Sequence, residues 1–411
     1  MYMKTKCRMC GKNKFKEVID FGESPLVNSL IEGKDLKLEE EMYPLKVEQC
    51  QNCFLVQVVD PVDSHKIYRD VDYLYFSSDM PTLSEYFADY ARDILERYFQ
   101  KDGPYPLAVE IGSNDGILLK HFGAKSWRVL GVDPATNVAI RAIASGIPTV
   151  SDFFGERIAQ SIKRDVGQAD LIMANNCIAH IDDLDNVMRG VSVLLKDDGL
   201  FVIECNYWGG MVRNKNYALI YHDHFSYFTL QNWVDYAPNF GLNVIDAMIT
   251  PAQGGSLRVF MVKSNISSPG TERLKVLLKE EKDTKLNSYA TARQYNVEVR
   301  NEASKLGALV KNLKEGGKRI AGYGAAAKGF SILQLAGITD EIDYFVDDSP
   351  AKQGKYTPVN HIPVISRKDA EEKLPDYFFI TAPNYANVII EKERGFSKKG
   401  GKFILADGSI V

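Results

Sequence analysis

The sequence lacks three features that would indicate a membrane, secreted or nucleic-acid-binding protein. No apolar run is long enough to cross a bilayer. No hydrophobic segment follows the lysines of the opening MYMKTKCRMC, as a secretory signal requires. Basic residues do not exceed acidic ones, at 50 against 54, so the sequence does not indicate a basic surface for nucleic acid. We therefore expect a cytoplasmic protein with neither membrane nor nucleic-acid partners.

Cysteine is also scarce, and six cysteines in a reducing compartment do not predict a disulfide framework. Four of them form two C-x2-C pairs: Cys7 with Cys10, and Cys50 with Cys53. Each pair can supply two thiolates to one tetrahedral Zn²⁺, and such a site leaves no coordination position open for substrate. We predict a structural zinc site, against the alternative of four unrelated buried cysteines. Cys177 and Cys205 are expected to be buried on core strands.

A chain of 411 residues is too long for one ordinary core, and its pattern divides into three parts. Residues 1–75 carry the cysteine pairs and are predicted to be an irregular, strand-poor zinc-binding module. Residues 76–265 alternate apolar strands with helical stretches. Residues 266–411 begin with a helical linker, which should end at Gly316-Gly317, and continue with a second β-α-β pattern.

A glycine-rich turn follows the first strand of the middle part. Residues 107–122 have the pattern of a strand, a turn and a helix, and the turn is Glu110-Ile-Gly112-Ser-Asn114-Asp-Gly116. This turn resembles the first motif of class I methyltransferases, with Asn114 in place of the middle glycine. Its glycines let the backbone approach a ligand at a helix N-terminus. The resemblance implies a Rossmann-like α/β core and S-adenosylmethionine as the ligand.

Other candidate residues follow the next predicted strands, whose carboxyl ends share one rim. Asp133 follows the second strand, where an acid holds ribose hydroxyls or, alternatively, caps the next helix. Asp152 and Phe153 follow the third strand and are expected beside adenine. The fourth and fifth strands add Asn176, His180 and Asn206 to the same rim.

Two of the six histidines lie in one short motif, Tyr221-His222-Asp223-His224. An imidazole titrates near neutral pH and can act as a general base. A neighbouring carboxylate can orient the ring, and a tyrosine hydroxyl can stabilise an oxyanion. The alternative is a structural histidine pair, and metal binding by the pair lacks a third ligand. The rim position favours the catalytic interpretation.

Taken in order, these motifs resemble those of the sugar C-methyltransferases of deoxysugar biosynthesis over nearly the whole chain. The matching segments are the cysteine quartet and residues 73–78, 110–116, 221–228, 254–258 and 322–329. The resemblance implies methylation, at carbon 3, of a 4-keto-6-deoxy sugar linked to thymidine diphosphate. It also implies that His224 is the base and that Tyr221, Tyr75 and His180 line the site.

One position departs from the family pattern, because Asp223 stands where the family has glutamate. The side chain is shorter by one methylene, so the resemblance supports the reaction type better than the identity of the sugar. The chemistry is consistent with the residues. A ketone acidifies the neighbouring C–H, His224 can remove that proton, and the resulting enolate can attack a sulfonium methyl. This reaction needs no metal, which is consistent with a zinc site that has no open coordination position.

A second glycine-rich turn, residues 322–329, precedes Asp347 and Asp348 and fits the G-x-G-x-x-A dinucleotide pattern. It predicts a second cofactor, a scaffold without ligand or, as the resemblance implies, a lobe that holds the sugar's diphosphate. Lys328 directly after the turn favours the diphosphate. The substrate contacts expected here and on the rim are Asn206, Ser256, Tyr323, Lys328 and Asn384.

The expected fold is therefore a class I methyltransferase Rossmann-like α/β core, with an N-terminal zinc module and a second Rossmann-like lobe. Two other functions stay open at this stage. An O- or N-methyltransferase would transfer methyl to a non-keto acceptor. A nucleotide-sugar oxidoreductase or binding protein would bind NAD and have no affinity for S-adenosylmethionine. We expect a monomer or weak oligomer, because the chain already contains several cores.

Overall fold

A computed structural model describes residues 6–26, 29–70, 73–99, 105–266 and 269–411. Residues 1–5 of the predicted zinc module and residues 267–268 of the predicted linker lie outside the described residues. Among the helices in these ranges, none combines the length and the apolar character needed to span a membrane.

The N-terminal part contains a small antiparallel sheet. The elements of this part are β1 (Phe15–Ser24), β2 (Tyr43–Cys50), β3 (Val56–Val58) and α1 (Ser64–Tyr68), and α2 (Pro81–Tyr98) follows at the start of the middle part. The prediction of a strand-poor module is therefore wrong. In β2 the buried Leu45 and Val47 alternate with the half-buried Lys46 and Glu48. This period-2 pattern is the strand signal that the short, interrupted segments obscure.

The middle part is built on a seven-stranded sheet. Its elements are β4 (Leu107–Ile111), α3 (Ile117–Gly123), β5 (Arg128–Val132), α4 (Thr136–Ala144), β6 (Thr149–Val150), α5 (Glu156–Asp165), β7 (Ala169–Asn175), α6 (Leu184–Leu194), β8 (Leu195–Asn206), α7 (Trp208–Asn214), β9 (Ser226–Tyr227), α8 (Leu230–Tyr236), β10 (Leu242–Thr250) and β11 (Ser256–Lys263). The sheet order is β10-β11-β8-β7-β4-β5-β6. The five strands from β8 to β6 are parallel, whereas β10 and β11 are antiparallel.

This topology places a ligand site at the carboxyl edge of the parallel strands. Every residue of β4 is buried, as expected for a strand covered on both faces. The chain runs outward from β4 in one direction and then returns to β7 on its other side, so the strand order reverses between them. Ligands bind at such a reversal in open α/β sheets. The predicted Rossmann-like core is therefore confirmed, with the first glycine-rich turn at this reversal.

β9 belongs to the N-terminal sheet, although the chain reaches it from the middle part. It pairs antiparallel with β3, and the sheet order is β1-β2-β3-β9. The segment that contains His224 is thus held at one end by the central sheet and at the other by the cysteine-bearing module.

The C-terminal part has a five-stranded parallel sheet. Its elements are α9 (Glu272–Asp283), α10 (Tyr289–Glu315), β12 (Ile320–Tyr323), α11 (Ala327–Ala336), β13 (Phe345–Val346), β14 (Val364–Ile365), β15 (Tyr377–Ile380), α12 (Ala386–Lys392), α13 (Arg394–Lys398) and β16 (Lys402–Ile404). The strand order is β14-β13-β12-β15-β16. The predicted helical linker is present as α9 and α10, and the second Rossmann-like lobe is confirmed. The helix stop is also confirmed, because α10 ends before Gly316 and Gly317 adopts a φ of 74°.

Candidate active site

A cavity of about 1030 Å³ lies where the carboxyl edge of the central sheet, the segment 64–83 and the C-terminal lobe meet. Most of the predicted site residues line it. They are Tyr75, Glu110, Gly112, Asn114, Asp133, Phe153, Asn176, His180, Asn206, Tyr221, Asp223, His224, Tyr323, Lys328 and Asn384. The fold therefore brings residues from all three predicted parts to one space.

Three residues predicted to bind the cofactor or the substrate lie outside this lining. Gly116 precedes α3 with a φ of 81°, so its contribution is to the backbone turn. Asp152 is partly exposed, and its carboxylate pairs with Arg157 at 2.7 Å. Ser256 is fully buried, and its hydroxyl donates to the carbonyl of Ala252 at 3.0 Å. The structure gives these two side chains protein partners instead of a place in the cavity.

The remaining two cysteines differ in their surroundings. Cys205 is fully buried on β8, as predicted. The prediction of a strand position for Cys177 is wrong, because Cys177 lies in the turn after β7 and lines the cavity. Its thiol donates to the carbonyl of Ile111 at 2.9 Å. The turn begins early because Asn176 adopts a left-handed conformation with a φ of 53°.

The four predicted metal ligands converge in the N-terminal module. The sulfurs of Cys7, Cys10, Cys50 and Cys53 all lie within 4.8 Å of one another. The Cys7–Cys53 and Cys10–Cys50 sulfur distances are both 3.5 Å. A tetrahedral site with Zn–S bonds of about 2.3 Å separates its sulfurs by about 3.8 Å. The cluster therefore fits one zinc ion held by thiolates alone.

Each cysteine pair forms the same kind of backbone turn. The amide of Gly11 donates to the Cys7 carbonyl at 3.0 Å, and that of Phe54 to the Cys50 carbonyl at 3.1 Å. Both turn residues are left-handed, with φ of 66° and 62°. The Gln57 side chain also donates to the Cys7 sulfur at 3.2 Å. Such N–H donors stabilise a thiolate and support the ligand shell from outside.

The first glycine-rich turn is tied to the segment containing Tyr75. Asn114, at the family's middle glycine, is left-handed with a φ of 49°, a conformation that asparagine tolerates better than most residues. Its side-chain oxygen accepts the Ser77 amide at 2.8 Å, and its side-chain nitrogen donates to the Tyr75 carbonyl at 3.1 Å. The departure from glycine thus retains the turn and adds an anchor. Gly112 is required beside it, because a Cβ there would lie 2.5 Å from the Cys177 Cβ.

Two acids lie at this turn and have capacity for a ligand. The Glu110 carboxylate accepts one bond from Asn175 at 3.2 Å, and its other oxygen is buried without a partner among the described residues. Asp133 accepts the backbone amide of Asn114 at 2.9 Å. Burial raises the pKa of Glu110 to about 8 and that of Asp133 to about 6. The Asn176 side-chain oxygen is also buried and unpartnered in the described structure. Three polar groups therefore fit a ligand that has ammonium, amide or hydroxyl donors.

His224 is the candidate base whose ring orientation is fixed by hydrogen bonds at both nitrogens. Its Nδ1 lies 2.6 Å from the Leu219 carbonyl, which can only accept, so Nδ1 carries the proton. Its Nε2 therefore has the free lone pair, and it accepts the Tyr221 hydroxyl at 2.9 Å. The side-chain nitrogen of Asn206 lies 3.1 Å from Nδ1 but cannot donate to it while Nδ1 carries the proton. Burial holds the pKa of His224 well below its usual value, and the nearby His180 adds to this. The imidazole is thus neutral, and its unprotonated Nε2 faces the cavity.

Further polar rings surround this histidine. The His180 ring centroid is 4.8 Å from that of His224, and its Nδ1 lies 2.6 Å from the Tyr68 hydroxyl. Burial lowers the pKa of His180 to about 4. Burial, followed by the nearby Asp223 carboxylate, raises the pKa of Tyr221 well above its usual value. The tyrosine therefore stays protonated and can donate a hydrogen bond.

The second glycine-rich turn faces the cavity from the C-terminal lobe. Gly324 has a φ of 97°, which only glycine adopts readily. The Lys328 ammonium donates to the side-chain oxygen of Gln253, and the Asn384 amide reaches the same oxygen at 3.3 Å. Burial lowers the pKa of Lys328 to about 8. This corner of the cavity therefore offers a half-buried cation beside a helix N-terminus, which suits an anion.

Tyr68, Tyr73 and Gln253 are among the lining residues that sequence reasoning missed. Gln253 immediately precedes the matched segment 254–258, so its neighbours in sequence were a usable signal. Tyr73 opens the matched segment 73–78, and its ring lies 5.2 Å from that of Tyr68. Tyr68 has no motif around it; only the fold brings it to His180.

Three family models match successive parts of the chain. They are "Putative zinc binding domain" over residues 7–68, "Methyltransferase domain" over residues 83–247 and "C-methyltransferase C-terminal domain" over residues 251–406. Their order agrees with the positions of the cysteine cluster, the central sheet and the C-terminal lobe.

Curated relatives include one that matches almost end to end. The chain is 33% identical over 400 residues to C-methyltransferase NovU of Streptomyces niveus, covering 97% of this chain and 94% of that protein. It is 31% identical over 122 residues to a ubiquinone biosynthesis O-methyltransferase of a Methylobacterium species, covering 27% of this chain and 48% of that one.

Solved structures resemble the chain over about half its length. The magnesium protoporphyrin IX methyltransferase of Synechocystis, with bound S-adenosylmethionine, is 12% identical at a TM-score of 0.34, covering 49% of this chain and 89% of that one. The full-length relative carries the family assignment. The chain belongs to the C-methyltransferase family and is an S-adenosylmethionine-dependent methyltransferase with an N-terminal zinc-binding domain.

Proposed function

We propose that this enzyme methylates carbon 3 of a nucleotide-linked 4-keto-6-deoxy sugar, with His224 as the base that forms an enolate. The observation that carries the proposal is the hydrogen bonding of His224. Its Nδ1–H is directed to the Leu219 carbonyl, which leaves Nε2 as the acceptor in a cavity shared by both glycine-rich turns.

The proposal divides the work among the three parts of the chain. Residues 1–75 form the zinc module, residues 76–265 bind S-adenosylmethionine, and residues 266–411 bind the nucleotide end of the sugar. Glu110, Asp133 and Asn176 would hold the cofactor, since each presents a buried polar group at the sheet edge. Phe153 lines the same end and offers a ring to the adenine. When bound, S-adenosylmethionine supplies a methyl group on a positively charged sulfur.

Proton removal falls to His224. In the free enzyme its Nε2 accepts the Tyr221 hydroxyl, so a substrate C–H approaching Nε2 takes the place of that hydroxyl. The proton passes from carbon 3 to Nε2, and the electron pair of the broken C–H bond moves to the keto oxygen. Because Nδ1 is already protonated, the product is an imidazolium stabilised by the Leu219 carbonyl. Proton transfer to a positioned side chain of this kind increases the reaction rate roughly 10²–10⁴-fold.

The enolate oxygen needs hydrogen-bond donors in the same space. Tyr221 is released from His224 when substrate binds and is protonated, so it can donate to that oxygen. Tyr75 also lines the cavity and is a second candidate donor. Burial raises the pKa of Tyr221 and of Tyr73, and the nearby buried Asp223 raises both further. Asp223 is therefore assigned to keeping the donors protonated.

The diphosphate is assigned to the C-terminal lobe. Lys328 is the half-buried cation there, and the first amides of α11, those of Ala327 and Lys328, precede the first hydrogen bond of the helix, which Gly329 makes to the Ala326 carbonyl. Lys352 and Lys392 also line this end of the cavity. A diphosphate in this place would put the sugar between Lys328 and His224, and the positive charge of Lys328 already lowers the pKa of His224. Tyr323 and Asn384 line the same end.

The test is a mass-spectrometric assay of the purified enzyme with S-adenosylmethionine and a panel of nucleotide-linked 4-keto-6-deoxy sugars, run in deuterated water. The expected result is a product heavier by one methyl and, without the methyl donor, deuterium exchange at one sugar carbon. His224→Ala should abolish both reactions. His361→Ala, at a half-buried histidine outside the cavity lining, is the matched control and should retain both.

Two outcomes would contradict the proposal. No turnover and no exchange across the panel would remove the keto sugar as substrate and leave an O- or N-methyltransferase as the leading function. Exchange that persists in His224→Ala would assign proton removal to another group.

A further inference from the structure

The strand that follows His224 is part of the zinc module's sheet. In β9, Ser226 lies opposite Gln57 of β3, and the Val58 amide donates to the Phe225 carbonyl at 2.9 Å. Phe225 is the residue next to His224, so the backbone beside the proposed base is fixed by a strand of the cysteine-bearing module.

Arg8 makes a second connection between the same two places. It follows Cys7 directly, and its side chain has no exposed surface. Its Nη1 donates to the Val58 carbonyl at 2.6 Å and to the Phe225 carbonyl at 3.1 Å. Its Nε pairs with Asp182, a residue of the cavity lining, at 2.8 Å. One guanidinium therefore links the first cysteine turn, β3 and the backbone next to His224.

Gln57 connects this guanidinium to a metal ligand. Its side-chain nitrogen donates to the Cys7 sulfur at 3.2 Å. Its side-chain oxygen accepts both the backbone amide and Nη1 of Arg8, at 3.2 and 3.1 Å. The direction of the Arg8 side chain thus depends on the geometry of the thiolate cluster.

We infer that Arg8 is a positioning residue through which the zinc-bound cysteine turn fixes the backbone beside His224. This inference rests on the proposed role of His224. A metal-ordered Cys7 turn holds Arg8, Arg8 holds the Phe225 carbonyl, and the His224 ring then keeps its Nδ1–H on the Leu219 carbonyl. Arginine suits this task because its planar fork reaches several acceptors at once, whereas lysine offers a single point charge.

The test reads the His224 ring directly. Six histidines give a simple ring-nitrogen NMR spectrum after selective labelling, and His224→Asn identifies the signals of His224. Arg8→Lys is compared with Arg92→Lys, an exposed arginine on α2 paired only with its helix neighbour Asp89 in the described structure. Each protein is also measured for zinc per chain, affinity for S-adenosylmethionine, and kcat and KM with thymidine diphosphate 4-keto-6-deoxyglucose.

We expect Arg8→Lys to bind one zinc per chain and to bind S-adenosylmethionine within twofold of the wild type. Its His224 Nδ1–H signal should shift or broaden, and its kcat should fall at least tenfold with KM for S-adenosylmethionine unchanged. Removal of zinc from the wild type with a chelator should give the same spectral change, and added zinc should reverse it. Arg92→Lys should match the wild type throughout.

A second variant covers the case in which Arg8→Lys does not fold. Gln57→Met keeps the side-chain volume and removes the link between Cys7 and Arg8, so the same pattern is expected. A wild-type His224 signal and kcat in the folded variants would overturn the inference. Loss of zinc or of the folded state in both variants would assign these contacts to stability alone and also overturn it.

Failure of the proposed function has a different signature. In that case His224→Ala turns over like the wild type, or the probe sugar is not methylated at all. The ring spectrum still shows whether Arg8 sets the position of His224.

Discussion

The two halves of the molecule, its middle part and its C-terminal part, each present a glycine-rich turn to the cavity. In both, an aspartate after the next strand accepts hydrogen bonds from the turn in the same way. Asp133 accepts the amide of Asn114 in the first turn and an amide two residues beyond itself, both at 2.9 Å. Asp347 accepts the amide of Ala325 in the second turn at 2.8 Å and an amide two residues beyond itself at 2.9 Å. The backbone arrangement is therefore shared between the halves.

The two turns differ in the charges that surround them. Glu110, near the end of β4, has a buried oxygen without a partner among the described residues, whereas the half-buried Lys328 follows the second turn. Lys352 also pairs with Asp347 at 3.3 Å, and the described structure shows no such cation at Asp133. The first turn thus suits a ligand with positive charge and hydroxyls, and the second suits an anion. The glycine pattern alone predicted a dinucleotide at the second turn, and it does not distinguish the two turns. The side chains that flank each turn are therefore expected to determine which ligand it binds.

The sharpest way to test this contrast is Lys328→Met. Loss of a buried, charge-assisted hydrogen bond to phosphate costs roughly 1.5–3 kcal/mol, which corresponds to about 10–100-fold weaker binding. We expect that loss in calorimetric titrations with thymidine diphosphate, with affinity for S-adenosylmethionine unchanged. Lys399→Met, at an exposed lysine, is the control. Equal weakening of both ligands would show that Lys328 supports the fold of the cavity and not one ligand.

Glu110→Gln tests the other half. The substitution keeps an acceptor and removes the charge, so we expect about tenfold weaker binding of S-adenosylmethionine. Thymidine diphosphate should bind as in the wild type. Glu272→Gln, an exposed glutamate at the start of α9, controls for the loss of one negative charge. If Glu110→Gln bound the cofactor normally, Asp133 would be the remaining candidate for the negative charge that favours the cofactor at the first turn.

The two halves should respond to pH in opposite directions. Burial raises the pKa of Glu110 to about 8, and a donor ligand prefers the ionised form, so cofactor affinity should rise with pH and level off above that value. Burial lowers the pKa of Lys328 to about 8, and an anion prefers the ammonium, so diphosphate affinity should fall above that value. By linkage, affinity for the cofactor should change about fivefold between pH 7 and 8, and that for diphosphate about fivefold between pH 8 and 9.

Calorimetry across this pH range measures both dependences. Glu110→Gln should remove only the pH dependence of cofactor affinity, and Lys328→Met only that of diphosphate affinity. Parallel slopes for the two ligands would break the contrast.

The parts of the site that the sequence predicted are those with local signals. Cysteine spacing identified the four ligands, and the glycine-rich turns identified the two sheet edges. The sequence did not reveal that β9 crosses into the N-terminal sheet, because a two-residue strand has no periodicity to detect. Tyr68 was not recognised either, because its partner His180 is 112 residues away in the sequence. Contacts of this kind depend on how sheets are joined, which single-sequence patterns do not encode.

Charge state is a second property that the sequence did not supply. His224 was recognised as a base from its motif, but its protonated nitrogen is set by the Leu219 carbonyl, five residues earlier in an irregular segment. The raised pKa of Glu110 likewise follows from burial inside a fully covered strand end. Both depend on packing around the residue and not on its neighbours in sequence.

The smallest expected effect belongs to Asp152, which the sequence placed beside adenine. In the structure its carboxylate lies outside the cavity lining and pairs with Arg157 at 2.7 Å and with Arg69 at 3.5 Å. Such partly exposed ion pairs contribute roughly 0.2–1 kcal/mol to stability, so Asp152→Asn should lower the melting temperature slightly and change affinity for S-adenosylmethionine less than twofold. Phe153→Ala, one residue away in the lining, should weaken the cofactor more. If Asp152→Asn weakened the cofactor as strongly as Glu110→Gln does, the carboxylate would have to turn from its arginines toward the ligand on binding. The acidic character of the first half would then extend beyond Glu110 and Asp133 to the third strand.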